Sequence, residues 1–267
     1  MNILEQKMVD ILVKGKNEYG YIGVKAEFEA EGTRVDELLR LIEIAHRAGV
    51  KLAVKIGGCE AIRDLLESKL YGVDYIIAPM IESTYALSKY AEARDKCYDE
   101  HDKKNTSFLF NIETKSAFDI REELAKTATA TNLSGFVFGR TDMCGSLSIS
   151  KDSTNEQIIT DMIKKVAIIS KEYDLELVVG GGVSSFSLDA LRQIKEIHLT
   201  RFETRKIIFS ADSVAMNGID NGLLNAVKFE LLWLENKRNY YKSIYQEDAN
   251  RIETLCSRWK IPSDNSF

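Results

Sequence analysis

The feature that most constrains this chain is a series of short apolar runs, each ending in charge or glycine. YIGVKAEF (21–28), KLAVKIGG (51–58), DYIIAPMI (74–81), SFLFNIET (107–114), GFVFGRTD (135–142), LELVVGGG (175–182) and EIHLTRFE (196–203) all read this way. Near-continuous apolar runs of this length are typical of parallel strands covered on both faces. Amphipathic stretches separate them, at 34–48, 60–69, 84–98, 116–125, 155–173 and 187–194. The first has Thr33 as a candidate N-cap and Gly49 as its stop. A further helix, with Leu4, Met8, Ile11 and Leu12 at helical spacing, precedes the first strand.

Alternation of strand and helix predicts a parallel sheet with right-handed crossovers. At roughly 30 residues per unit, the expected fold is an α/β chain of the (β/α)8 TIM-barrel type. Seven strands are evident, and the eighth is either hidden or missing. An open doubly wound sheet is the alternative, although no GxGxxG follows the first strand. Beyond Asp220 the pattern becomes a long helix with Leu224, Val227, Leu231 and Leu234 on one face, then a second helix over 247–259. The expected organisation is a barrel over 1–220 and a helical extension over 221–267. The apolar face of that extension closes the barrel or joins copies of the chain into a homo-oligomer.

Composition narrows the partners. The net charge of −5 lacks the basic footprint of a nucleic-acid-binding protein. No apolar run approaches the roughly 20 residues needed to span a membrane. The opening MNILEQKMVD has no signal-peptide core. Cys59, Cys97, Cys144 and Cys256 are scattered, as expected of free thiols in a reducing cytoplasm.

In a barrel, chemistry gathers where the strands end. The first strand offers Lys25, Glu27, Glu29 and Glu31 at period two, hence on one face. The second offers Lys55, the third Glu82, the fourth Asn111 and Glu113, and the fifth Arg140 and Asp142. The sixth ends in Gly180, Gly181 and Gly182, and the seventh offers Arg201, Glu203 and Arg205. Taken singly, Lys25 and Glu31 read as ion-pair residues, Glu82 as a helix cap, and Arg201 and Glu203 as partners of each other. Glu113 and Asp142 come from successive strand ends. Two carboxylates with open positions suit a hard divalent cation, Mg²⁺ or Mn²⁺. The glycines offer N–H groups to an anion, or else close packing. His46, His101 and His198 form no cluster along the chain, so a zinc site is not expected.

IIAPMIES (76–83), FNIET (110–114) and GFVFGRTDMCGSL (135–147), in this order and spacing, resemble motifs of the HpcH/HpaI aldolase and citrate lyase β-subunit family. That family belongs to the phosphoenolpyruvate/pyruvate barrels. The resemblance implies that Glu113 and Asp142 hold Mg²⁺ or a related ion. It implies a 2-oxo acid or acyl substrate whose enolate the metal stabilises while a C–C bond forms or breaks. It places Glu82 of the P-M-I-E-S stretch at the substrate. The family's enolate-stabilising arginine on the second strand is matched here by Lys55. Arg140 stands where a proline is usual and is expected to supply the guanidinium. The catalytic histidine of the aldolase branch is matched by Ala30, which leaves Glu27 and Glu29 for the acidic positions, with Glu29 as the candidate base. Arg205 and Gly181 would hold a distal anionic group. Two other readings keep the barrel: a metal-independent sugar-phosphate enzyme, and a non-catalytic subunit.

Overall fold

Each apolar run becomes a strand, and the strands pair in sequence order around a closed barrel. In the computed structural model, which describes residues 1–260, the strands are β1 (Tyr21–Glu27), β2 (Lys51–Lys55), β3 (Tyr75–Ala78), β4 (Ser107–Ile112), β5 (Gly135–Gly139), β6 (Glu176–Gly180), β7 (Arg201–Glu203) and β8 (Ile207–Ser210). The helices are α1 (Ile3–Glu18), α2 (Val35–Ala48), α3 (Ile62–Leu70), α4 (Thr84–Cys97), α5 (Lys115–Asp119), α6 (Arg121–Ala130), α7 (Arg140–Ser146), α8 (Gln157–Glu172), α9 (Leu188–Lys195) and α10 (Ile219–Trp259). No helix among the described residues is long and apolar enough to cross a membrane.

The period-two alternation of the strands divides the core. Outward side chains pack under the helices in one large cluster. Inward side chains, Ala53, Tyr75, Ile77, Leu109, Val137, Val178 and Ile208, plug the barrel. The inward register then continues two residues toward the strand ends. Ala53 is followed by Lys55, Leu109 by Asn111, Val137 by Gly139 and Val178 by Gly180. The same inward row is apolar at the plug and polar at the mouth.

The missing strand is β8, and it runs backwards. It pairs antiparallel with both β7 and β1. Only residues 204–206 connect it to β7, with Thr204 N–H bonded to the Ile207 carbonyl at 2.9 Å. No crossover helix is needed, so the expectation of a wholly parallel sheet fails at this one position. Strand β7 is also shorter than expected. His198 lies before it, with Nε2 2.8 Å from the Leu175 carbonyl. Arg201 pairs with Glu176 and not with Glu203.

Other boundaries shift for local reasons. Arg34, not Thr33, is the N-cap of α2, and its N–H donates to Glu37 at 3.3 Å. Gly49 does end that helix, in the left-handed region at φ 65°. The expected helix over 116–125 is two, α5 and α6, parted at Ile120. The two expected C-terminal helices are one, 41 residues long. It packs on α1, and its buried face carries Gly222, Leu223, Ala226, Phe229 and Trp233. The stripe of Leu224, Val227, Leu231 and Leu234 therefore does not close the barrel; all four are exposed.

Candidate active site

The mouth of the barrel holds a polar chamber of about 350 Å³. Lys25, Lys55, Lys151 and Arg205 line it together with Glu27, Glu29, Glu113, Asp142 and Glu203, so the lining carries one more negative than positive charge. Asn111, Thr141 and Gly180–Gly182 complete the polar wall. A larger groove, about 780 Å³, lies outside the barrel beside α1, α2 and α10. Its carboxylates Glu5 and Glu37 are already engaged by Arg40 and by Lys237 and Tyr241. The free chemistry is at the mouth.

Glu113 is the most enclosed of the mouth carboxylates, 1 % exposed. Its Oε1 accepts from the Met80 N–H at 3.0 Å, and its Oε2 accepts from Asn111 Nδ2 at 2.5 Å. Lys55 Nζ stands 3.6 Å from Oε2 and 3.5 Å from Glu29. Burial pushes the Glu113 carboxyl above its ordinary value despite these partners, and the charge of Asp142 adds to the rise. Asp142 sits in the first turn of α7 and is exposed. Asn111 Oδ1 is buried and has no hydrogen-bond donor.

A second cluster adjoins the first. Lys25 donates to Glu203 at 2.5 Å and lies 3.2 Å from Glu27. Burial alone would lower the Lys25 pKa, but Glu203 and Glu27 outweigh it and raise it. Burial likewise works to raise Glu27, and Lys25 and Lys55 together hold it below its ordinary value. On the rim, Glu31 holds Arg205 at 3.1 Å and also pairs with Lys206.

The structure thus brings Glu27, Glu29, Lys55, Glu113, Asp142, Gly181 and Arg205 to one chamber. It does not bring Arg140 or Glu82. Strand β5 ends at Gly139, so Arg140 opens α7 and its side chain turns into the wall, 1 % exposed. There it donates to the Gly180 carbonyl at 3.1 Å, to Asn155 Oδ1 at 2.9 Å and to Ser187 Oγ at 3.2 Å. Burial without a carboxylate partner pulls its pKa down to about 10. Glu82 is exposed and lies off the chamber, and Ser83 caps α4 in its place. Lys25 and Glu203, read from sequence as routine ion-pair residues, line the chamber. The inward register of β1 and β7 was the signal for both. Lys151 and Thr141, on the segments that follow β5, carried no such signal.

The strand-end glycines give these carboxylates room. A Cβ on Gly139 would stand 2.7 Å from Glu113 Oε2, and one on Gly180 would stand 3.0 Å from Glu203 Oε1. Each glycine leaves the volume that an acid from the adjacent strand fills.

The fold has solved counterparts. An HpcH/HpaI aldolase from Desulfitobacterium hafniense DCB-2 superimposes with a TM-score of 0.60 at 11% identity, over 99% of this chain and 92% of that one. The fold is that of the HpcH/HpaI aldolases. An HpcH/HpaI aldolase/citrate lyase family protein from Burkholderia cenocepacia J2315 gives 0.61 at 14% identity, over 86% of this chain and 90% of that one. A variant of the citrate synthase SbnG gives 0.54 at 14% identity, over 74% and 81%. No family model matches the sequence, and no curated protein does. The likeness to the HpcH/HpaI barrels is therefore one of shape.

Proposed function

We propose that this chain is a divergent HpcH/HpaI-type lyase or aldolase that makes or breaks a C–C bond beside a 2-oxo acid, with a divalent metal. The observation that carries the reading is the convergence of Lys55, Glu113 and Asp142 on one small polar chamber. Its volume suits a small acid and a small co-substrate.

The donor set fits a hard cation. Among the described residues no three His, Cys, Asp or Glu side chains form a ready-made cage. Mg²⁺ does not need one, because it commonly uses one or two carboxylates and keeps water or substrate oxygens. Glu113 and Asp142 would hold it, and Asn111 Oδ1 is a buried acceptor in want of a donor or cation. When bound, the ion supplies Lewis acidity toward the oxygens of the 2-oxo acid.

The chain's own residues do the rest. Lys55, itself buried, places a fixed positive charge where negative charge develops on the substrate. Glu29, half-exposed at the edge of the chamber and 3.5 Å from Lys55, takes or gives the proton. Lys25 and Lys55 together hold Glu27 ionised, and Lys25 is itself held by Glu203. Arg205 and the N–H groups around Gly181 receive the distal carboxylate.

The test is calorimetric titration of metal-stripped protein with Mg²⁺ and Mn²⁺, with and without pyruvate or oxaloacetate. Metal binding that tightens with the 2-oxo acid and disappears in Glu113→Gln is the expected result. Absence of metal binding under both conditions overturns it. A second reading, a sugar-phosphate enzyme that needs no metal, is favoured by Lys151, a further cation on the chamber wall. That reading predicts turnover that survives chelation.

A further inference from the structure

Helix α10 outruns the barrel it belongs to. Lys237 and Tyr241 reach Glu37 at the start of α2, which lies at the mouth end. The remaining residues, to Trp259, extend about 27 Å past this point at 1.5 Å per residue. Nearly all of them are exposed. An isolated helix of this length is marginal in water, so the arm requires something to pack on.

Its exposed side chains follow a rule. Leu224, Val227, Leu231 and Leu234 recur at alternating spacings of three and four. The same spacing continues through Arg238 and Tyr241, then Tyr245 and Asp248, and ends on Ile252, Leu255 and Trp259. The apolar members of this row, Tyr241 apart, range from 42 % exposed at Leu255 to 72 % at Tyr245. This is the heptad seam of a coiled coil, and it spans nearly the whole helix. A seam of period 3.5 drifts about 20° per heptad on a straight helix, and left-handed supercoiling around a partner removes the drift.

The two charged positions in the seam name the partner and its direction. In a parallel pair of identical helices, Arg238 would face Arg238 and Asp248 would face Asp248. In an antiparallel pair centred on Ser243, Arg238 faces Asp248 twice. The same register sets Trp259 on Val227, Leu255 on Leu231, Ile252 on Leu234 and Tyr245 on Tyr241. Shifting the register by one heptad either way sets a charge against leucine. On the flanks Glu230 meets Arg258 and Ile244 meets its own copy, while Lys242 also meets its copy at the solvated edge. This register covers seven exposed apolar residues on each chain, Val227, Leu231, Leu234, Tyr245, Ile252, Leu255 and Trp259, toward the roughly 800 Å² per side of a standard interface.

We propose that two copies of this chain form a two-fold dimer through an antiparallel α10 coiled coil, each arm lying on the outer face of the other copy's α10. The experiment is sedimentation equilibrium of the full chain and of three variants: Arg238→Asp, Asp248→Arg and the double exchange. The seam residues are exposed in the monomer, so the variants fold, which circular-dichroism melting checks. The expected result is a dimer in the native chain. Each single reversal should raise the dissociation constant about tenfold or more, and the double exchange should restore it. A monomer at tens of micromolar overturns the proposal, as does an assembly without two-fold symmetry. So does a dimer that the single reversals leave unchanged or the double exchange fails to restore.

Discussion

Lys55 Nζ lies 3.6 Å from Glu113 Oε2 although β2 and β4 are not neighbours; β3 separates them. The contact spans the mouth because both side chains lie on the inward register. It joins a cation to a carboxylate that burial has already made reluctant to ionise. The metal-holding role proposed for Glu113 and the stability of the fold therefore pull in opposite directions.

Because the folded pKa of Glu113 is raised, its ionised form costs stability above that pKa. The cost is relieved as pH falls through the folded value toward the ordinary 4.5. Glu113→Gln should thus melt at or above the native temperature at pH 7, and the difference should shrink toward pH 4. Metal binding should be lost throughout. Thermal melts across that range, paired with metal titration, check both halves.

Glu27 has the opposite sign. Its folded pKa is lowered, so its contribution is complete at pH 7 and is lost as pH falls from about 4.5 through the folded value. Glu27→Gln should cost about 1–2 kcal/mol at neutral pH, since Lys25 keeps Glu203 as a partner. Urea unfolding at pH 7 and at pH 3 should show that gap closing.

Gly139→Ala tests whether the strand-end glycine exists to seat Glu113. Its φ of −88° suits alanine, so the backbone objects to nothing. The new methyl would meet the Glu113 carboxylate at 2.7 Å and its Cβ at 2.9 Å. The expected outcome is a loss of about 1–3 kcal/mol from overpacking, with metal affinity reduced at least tenfold by calorimetry. Unchanged affinity would refute the seating role.

Arg140 and Lys55 should separate wall from site. Arg140→Lys leaves the Gly180 carbonyl and Asn155 without their donors and should cost about 2–4 kcal/mol. Lys55→Met leaves buried Glu113 and Glu27 short of a cation, so it should cost about 1–3 kcal/mol at pH 7, fading as pH falls and these carboxylates protonate, and it should abolish binding of a 2-oxo acid. Denaturation curves and ligand titrations of the two proteins are the comparison.

Seven of the eight strands were legible because parallel strands buried on both faces leave apolar runs that few other structures leave. The eighth was not, for two reasons. Ile207–Ser210 is only four residues long, and a three-residue turn separates it from β7, so no helical stretch marks it off. Nor does a sequence state strand direction; the alternation rule supplied parallel by default.

The site was legible where the inward register continued past the plug, as at Lys55, Asn111 and Glu113. It failed at Arg140, because charge at the end of a run does not say whether the next residue continues the strand or begins a helix. On α10 the leucines pointed to the wrong face. The face that packs is marked by Gly222 and Ala226. A Cβ on Gly222 would stand 2.8 Å from that of Tyr19, so small residues, not large ones, identify this contact.

The backward strand has one more effect. In an all-parallel barrel, the last strand would finish at the mouth and the closing helix would descend to the floor. Here β8 finishes at the floor, where Ser210 N–H bonds the Gly20 carbonyl, so the closing helix has to ascend. It emerges beside the entrance and keeps going. One reversed strand of four residues thus decides that the chain's longest helix climbs past the rim at which the chamber opens, where a descending helix would have ended beneath the plug.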